Sequence, residues 1–489
     1  MRAGCLLVAR CGRAARDAVR PRRRPRCGGA TAGVSVPPTG RDARRGAPGP
    51  APDPTAPLDL TLLPDRAEVL PSGRLAVAGV DLGLLAQAVG TPCYVYDEAT
   101  LRARCEEAHR AFPGGAAYAS KAFSCIAMDR LASGLGLAID VASLGELRVA
   151  LAADVPPAGM VLHGNNKSLA ELELALATGV GRIVVDSLDE VTRLERLVFA
   201  GGFAPPAVWL RVTPGVDPKT HAAIATGQLG SKFGLPIAGG GAAAALDRLA
   251  RSPAVRLVGV HSHIGSQVTD LLPFQTAARR VAELAVERRL AEVCLGGGLG
   301  AAYVAGDAVP SLSDWAAAVE RGCREAGLPP DMHPSAEPGR ALVARAGLTL
   351  YTVGTVKRLP QGPVFVAVDG GMGDNPRPAL YGSRYEAFLP RAPLARRPLA
   401  AAVVGHHCES GDVLVAEGRL PADVAVGDCL AVAVTGAYGH AMASTYNRVP
   451  RPPVIFLSGG DARVVVRRET VEDVLRLETE APVRAGPLR

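Results

Sequence analysis

A chain of 489 residues, 48% hydrophobic and 21% charged, is long enough to bury two or more cores. Residues 1–50 hold twelve Arg against Asp17 and Asp42, so the formal charge of +7 reflects a local excess of +10 on an otherwise mildly acidic chain. That excludes a basic nucleic-acid-binding body, and the lack of any run of eighteen apolar residues excludes a membrane-spanning helix.

Ten scattered cysteines without a C-x-x-C pair predict a reduced, cytoplasmic protein. Residues 1–55 are rich in Arg, Pro, Gly and Ala and lack hydrophobic periodicity, which predicts a disordered tail. An Arg-rich organellar transit peptide is the alternative. From Ala56 the pattern is globular. Leu75–Val80 and Cys93–Tyr96 predict short strands, with a helical turn over Leu82–Val89. Segment 56–95 is expected to add one or more strands to a C-terminal β domain. Asp97 is a suitable N-cap for a helix that starts at Glu98.

Eight short apolar runs follow, each ending in polar or glycine residues and most leading into a helical segment. They end at Ala116–Lys121, Leu137–Ser143, Met160–Asn165, Arg182–Ser187, Ala207–Thr213, Leu257–Gly265, Glu292–Gly298 and Met332–Glu337. Segments such as Leu144–Ala153, Ser168–Thr178, Ser187–Ala200 and Leu271–Arg289 between them carry helix-period apolar positions. Alternating strands and helices imply parallel pairing, and eight units over residues 96–341 predict a (β/α)8 TIM-type barrel. An open doubly wound sheet is the competitor. In residues 342–489 the Val-rich runs Leu348–Val356, Val364–Val368, Leu399–Val404, Cys429–Val434 and Val454–Phe456 lack long helices between them. They predict an antiparallel β-sandwich or β-barrel domain.

The chemistry sits at the run ends: Lys121, Asp140, Ser143, His163, Asn165, Asp186, Arg211, His263, Gly296–Gly298 and Glu337. In a barrel these ends converge on one face, where barrel active sites form. Only five of the 54 basic residues are lysines, so a lysine at a strand end points to a task that arginine cannot perform. Forming an imine is such a task, because an amine can shed its proton and a guanidinium cannot. The glycine run can turn backbone N–H groups towards a phosphate. An amine, a phosphate cradle and a carboxylate together are what pyridoxal 5'-phosphate requires.

With these motifs in view, residues 56–470 resemble the barrel-fold, pyridoxal-phosphate-dependent decarboxylases of basic amino acids, and among them the diaminopimelate decarboxylases. The resemblance rests on Tyr118-Ala-Ser-Lys121, His163-Gly-Asn-Asn-Lys167, His261-Ser-His263-Ile-Gly-Ser266, Gly296–Gly298, Glu337-Pro338-Gly339-Arg340, Asp374-Asn-Pro-Arg377-Pro-Ala-Leu-Tyr381, Cys408-Glu409-Ser-Gly-Asp412 and Gly436-Ala-Tyr438-Gly-His-Ala-Met442.

It implies that Lys121 holds the cofactor as a Schiff base, Glu337 pairs the pyridine nitrogen and His263 stacks on the ring. Ser266, Gly296, Gly297, Gly298, Pro338, Gly339 and Arg340 would hold the phosphate, with Tyr438, Asp140 and His163 beside the cofactor. Arg340, Arg377, Tyr381 and Tyr438 would bind substrate, with Glu409 taking its distal ammonium. Cys408 would deliver the proton that replaces the lost carboxylate; from sequence alone it reads equally well as a packed core thiol. His261 and His407 are read as structural neighbours and Lys167 as a partner of nearby acids. No metal is expected.

The resemblance further implies a homodimer with Cys408 and Glu409 crossing between subunits. The implied reaction is decarboxylation of meso-2,6-diaminopimelate to L-lysine and CO2, the last step of lysine biosynthesis. Rival readings are an ornithine or arginine decarboxylase, an alanine racemase-like isomerase and a catalytically silent regulator on the same fold.

Overall fold

The computed structural model describes residues 53, 55–218, 227–228 and 230–480. The tail predicted to be disordered therefore lies outside the described residues, apart from Asp53 and Thr55. Seven parallel strands pair in sequence order: Ala117–Ala119, Ala138–Val141, Met160–Leu162, Arg182–Val185, Ala207–Thr213, Arg256–His261 and Glu292–Cys294. The eighth run closes the ring. Ser335 donates to Val293 O (2.9 Å) and Ala117 donates to Ala336 O (2.9 Å), so this run bridges the first and last strands. Pro334 and Pro338 flank it and offer no amide donor, which keeps this strand to a two-residue bridge.

Helices Ile126–Gly134, Leu144–Ala152, Leu169–Thr178, Leu188–Gly201, Gly241–Ala250, Leu271–Glu287 and Leu312–Glu325 alternate with the strands. Their starts follow from local chemistry. The hydroxyls of Ser143, Ser168, Ser187 and Ser311 each accept the amide three residues on, satisfying a donor that the helix cannot. Ser143 is thus a helix cap. Strand alternation then sorts the side chains. Leu162, Ile183, Val208 and Leu210 join the main core, whereas Val161, Val184, Trp209 and Cys294 form a separate apolar cluster. Register places Asp140 beside Val161, and Arg211 and His261 side by side.

The second domain is built on a nine-stranded sheet. Its spine is Gly347–Arg358, whose first half pairs with Cys93–Asp97 and Cys429–Val432 and whose second half pairs with Val364–Val368. The sheet is mixed rather than wholly antiparallel. Val364–Val368 runs parallel to Leu399–Val404, and Cys93–Asp97 runs parallel to Val454–Ser458. Parallel neighbours need a long connection; the first pair has one in 369–398, and the second has the whole barrel between its members. Leu75–Val77 belongs instead to a separate three-stranded sheet with Ala67–Val69 and Val80–Asp81. Among the described residues no helix is long and apolar enough to cross a membrane.

The two domains meet at the turn after the first barrel strand. Tyr438 donates its amide to Ala122 O (2.7 Å), Tyr96 Oη donates to Gly436 O (2.8 Å), and Tyr96 stacks on Phe123 at 4.3 Å.

Candidate active site

Lys121 sits in the one-turn 3-10 helix Ser120–Ala122 that ends the strand Ala117–Ala119. The turn is fixed from both sides: Tyr118 Oη donates to Phe123 O (2.5 Å), and the Tyr438 amide holds Ala122. The Lys121 side chain stays 46% accessible at the barrel mouth. Burial pulls its ammonium down, but the charges of Asp140, Tyr438 and Glu337 outweigh burial and hold it above the ordinary lysine value. Its nearest carboxylate is Asp140, Nζ to Oδ2 3.9 Å. Asp140 is itself buried, with Oδ2 lacking a hydrogen-bond donor, and burial raises it from the usual carboxylate range.

Glu337 is clamped by two imidazoles. His163 Nε2 lies 2.9 Å from Oε1 and His261 Nε2 lies 2.9 Å from Oε2, and all three residues are buried. Burial alone would raise Glu337; the facing imidazoles more than offset it and hold the acid well below the carboxylate range. Burial drives His261 down to about 4, so at neutral pH its contact is a neutral N–H donating to a carboxylate.

The glycine run lies against the Glu337 backbone, whose amide donates to Gly296 O (2.7 Å). A Cβ on Gly296, Gly297 or Gly298 would fall 2.4, 2.2 or 2.3 Å from the carbonyl oxygens of Ser262, Glu337 and Gly265, which only glycine tolerates. Gly297 donates its amide to His263 Nδ1 (3.1 Å), placing the ring proton on Nε2. Burial and the Lys121 charge keep His263 neutral, well below its usual value. Arg340 opens a four-residue helix and donates from Nη2 to Ser266 Oγ (2.9 Å) and from Nη1 to Tyr303 Oη (2.5 Å). Its guanidinium also lies 4.8 Å from the Tyr438 ring centroid.

Arg377 begins the helix Arg377–Tyr381 and packs over Tyr303, 4.5 Å from its centroid. The turn before it is held by Asp374, which accepts from Tyr351 Oη (2.6 Å) and the Gly371 amide (2.8 Å). Tyr381, at the far end of this helix, is half-buried. Cys408 and Glu409 stand apart, in an exposed turn of the β domain. Asp412 shapes that turn by accepting the amides of His407 (2.7 Å) and Met372 (2.6 Å). Tyr446 donates to Glu409. Among the described residues, neither Cys408 nor Glu409 is hydrogen-bonded to the Lys121 cluster.

Lys121, Asp140, His163, His263, Ser266, Gly296–Gly298, Glu337, Arg340 and Tyr438 are thus linked into one cluster at the barrel mouth, and Arg377 joins it through Tyr303. Lys167 is a buried structural cation, donating to Glu190 (2.6 Å), Val184 O (2.6 Å) and Gly164 O (2.8 Å). Asp186 takes the Gly234 amide (3.1 Å) and stands 3.9 Å from Arg211. The sequence reading takes His261 as a structural neighbour and does not single out Tyr303 or Tyr385. For His261 a signal existed, since it lies two residues from His263 in an extended run and so faces the same side. The two tyrosines lie in loops without periodicity.

These residues fit pyridoxal phosphate: an accessible amine, an ionised carboxylate held by two donors, and a glycine cradle that no side chain could enter.

Comparison with known proteins agrees. The family model for the pyridoxal-dependent decarboxylase, pyridoxal binding domain, matches residues 98–344. Diaminopimelate decarboxylase of Actinosynnema pretiosum subsp. auranticum is 49% identical over 84% of this chain and 93% of its own length. That of Bacillus subtilis is 43% identical over 85% and 97%. The crystal structure of diaminopimelate decarboxylase from M. jannaschii in co-complex with L-lysine superposes with a TM-score of 0.79 at 33% identity, covering 86% of this chain and 98% of the other. With the barrel, the lysine, the clamped glutamate and relatives matched over nearly their whole length, the chain belongs to the diaminopimelate decarboxylase family of pyridoxal-dependent enzymes.

Proposed function

We propose that the enzyme decarboxylates meso-2,6-diaminopimelate at one end to give L-lysine and CO2. The observation that carries this reading is the meeting of Lys121, the clamped Glu337 and the glycine cradle beside two buried arginines, Arg340 and Arg377. When bound, pyridoxal phosphate supplies an electron sink for the pair left behind as CO2 departs.

In this reading the Lys121 amine would hold the cofactor. Glu337 pairs the ring nitrogen, and its two histidine donors keep it an anion for that purpose. Neutral His263 would face the cofactor, with Asp140 and His163 beside it. Ser266, Gly296–Gly298 and the Pro338–Gly339–Arg340 turn hold the phosphate, with Tyr438 closing the site from the β domain. Arg340, Arg377 and Tyr381 take the distal carboxylate, for which a planar guanidinium fork is well matched. Glu409 takes the distal ammonium. Cys408 places its thiol proton on the carbon that lost CO2.

Cys408 and Glu409 are exposed and outside the cluster, which supports a homodimer in which one copy's turn completes the other's site. A thiol in this role requires a reducing compartment, and we place the enzyme in the cytoplasm. The test is CO2 release from diaminopimelate, ornithine, arginine and lysine by the cofactor-loaded protein. Release from diaminopimelate alone is expected, and release from ornithine alone overturns the substrate assignment. Lys121→Ala is expected to lose both turnover and the visible absorbance of bound cofactor.

A further inference from the structure

Among the described residues, two buried arginines at the site have no carboxylate counter-ion. Arg340 and Arg377 are 6% and 4% exposed, and among the described residues neither lies within 4.0 Å of a carboxylate oxygen. Each also keeps a buried Nε–H without an acceptor. Buried charge is costly unless paired, so something in the protein must tolerate it until an anion arrives.

That something is a pair of tyrosines. Tyr303 accepts from Arg340 Nη1 through its hydroxyl (2.5 Å) and offers its ring face to Arg377, whose guanidinium carbon lies 4.5 Å from the centroid. Tyr385 accepts from Arg377 Nη1 and meets Tyr303 edge-on at 5.2 Å between centroids. A ring face and a hydroxyl oxygen both present negative potential to a cation. They stabilise the guanidiniums without neutralising them, which a carboxylate would do. Tyr303 is itself anchored, since its own amide and that of Val304 donate to Asp307 (3.0 and 3.2 Å). Both tyrosines are buried.

We infer that Tyr303 and Tyr385 are positioning residues for carboxylate recognition: they hold Arg340 and Arg377 as an aligned, charged pair and so set the preference for a substrate with a distal carboxylate. This rests on the proposed diaminopimelate reading. Neither tyrosine acts on the bond that breaks. Their removal lets the guanidiniums drift apart, so the effect falls on carboxylate binding and not on chemistry at the other end.

Two amines that differ by one carboxylate separate this role from a general packing role. L-Lysine carries the carboxylate and cadaverine lacks it, so each is used as an inhibitor of CO2 release by the cofactor-loaded enzyme. Tyr303→Leu is expected to weaken L-lysine inhibition and raise KM for diaminopimelate at least tenfold. Inhibition by cadaverine, kcat and the cofactor absorbance should each stay within threefold. Tyr303→Phe and Tyr385→Phe, which keep the rings and are the less disruptive variants, are expected to show the same selectivity at about threefold. Equal weakening of both inhibitors, or no change in either, overturns the proposal. Wild-type protein that releases no CO2 from diaminopimelate overturns the underlying reading instead, before any variant is compared.

Discussion

His261 donates Nε2–H to Oε2 of Glu337 at 2.9 Å, and the other oxygen of that carboxylate faces His163. The His261 ring also lies parallel to Trp209, 9° between planes at 6.4 Å. His261→Phe keeps the flat ring and removes the donor. A buried acceptor left without its donor costs about 1–3 kcal/mol, and part of that cost shifts Glu337 towards its neutral form. The expected result is a fall in kcat of about 10- to 100-fold with KM for diaminopimelate little changed, read by steady-state CO2 release. His261→Gln restores a donor and should recover part of the loss. Unchanged kcat in His261→Phe would show that His163 alone suffices.

Lys167 and Glu190 form an ion pair with each side chain 1% exposed, and Glu190 also accepts the Asp186 amide (2.9 Å). Lys167→Met leaves a buried carboxylate unpaired, at a cost of about 3–5 kcal/mol. Lys167→Met with Glu190→Gln removes both charges and keeps an acceptor for Asp186. Denaturant unfolding should therefore find the double variant more stable than the single one. A single variant as stable as wild type would mean that the pair contributes little.

Asp129 is fully buried on helix Ile126–Gly134, and one of its oxygens has no donor. Burial, with some help from Glu146, raises its carboxyl to about 7 from an unfolded value of 3.8. The folded state therefore keeps this proton to higher pH than the unfolded chain does. Any stability carried by the group is present below about pH 4 and is lost as pH rises to about 7. Asp129→Asn removes that loss. Its unfolding free energy should match wild type near pH 4 and exceed it at pH 8, by a margin on the order of 4 kcal/mol. A constant difference across this range would contradict the assignment.

Cys408 and Glu409 offer a test of the shared site. Lys121→Ala and Cys408→Ala should each be inactive as purified. If the Cys408 turn serves a neighbouring copy, mixing and refolding the two variants rebuilds one complete site in each mixed dimer. About a quarter of wild-type activity is expected from random pairing of two chains. Activity that never returns on mixing would place Cys408 in the site of its own chain.

Much of the barrel was open to reading along the chain. A strand buried on both faces is a short apolar run with a polar end, and that is a local property; all eight runs occupy their places in the ring. The eighth is only a bridge at Ser335–Ala336, yet the apolar-to-polar change at Glu337 still marked it. The β domain was harder to read. Whether Val364–Val368 lies parallel or antiparallel to Leu399–Val404 depends on the path of 369–398, and nothing within either strand encodes that path.

Residue types and strand positions by themselves determined the kind of chemistry: a scarce lysine, a glycine run and a carboxylate at the ends of the first, seventh and eighth runs describe a pyridoxal phosphate site before any coordinates exist. Only the tertiary structure decided which groups touch. His261 and Glu337 are 76 residues apart, and Arg340 and Tyr303 are 37 apart; they meet because barrel closure brings strand ends and loops together. Hydrogen bonds act over about 3 Å, so a one-residue change of register would break such contacts while leaving every local pattern intact.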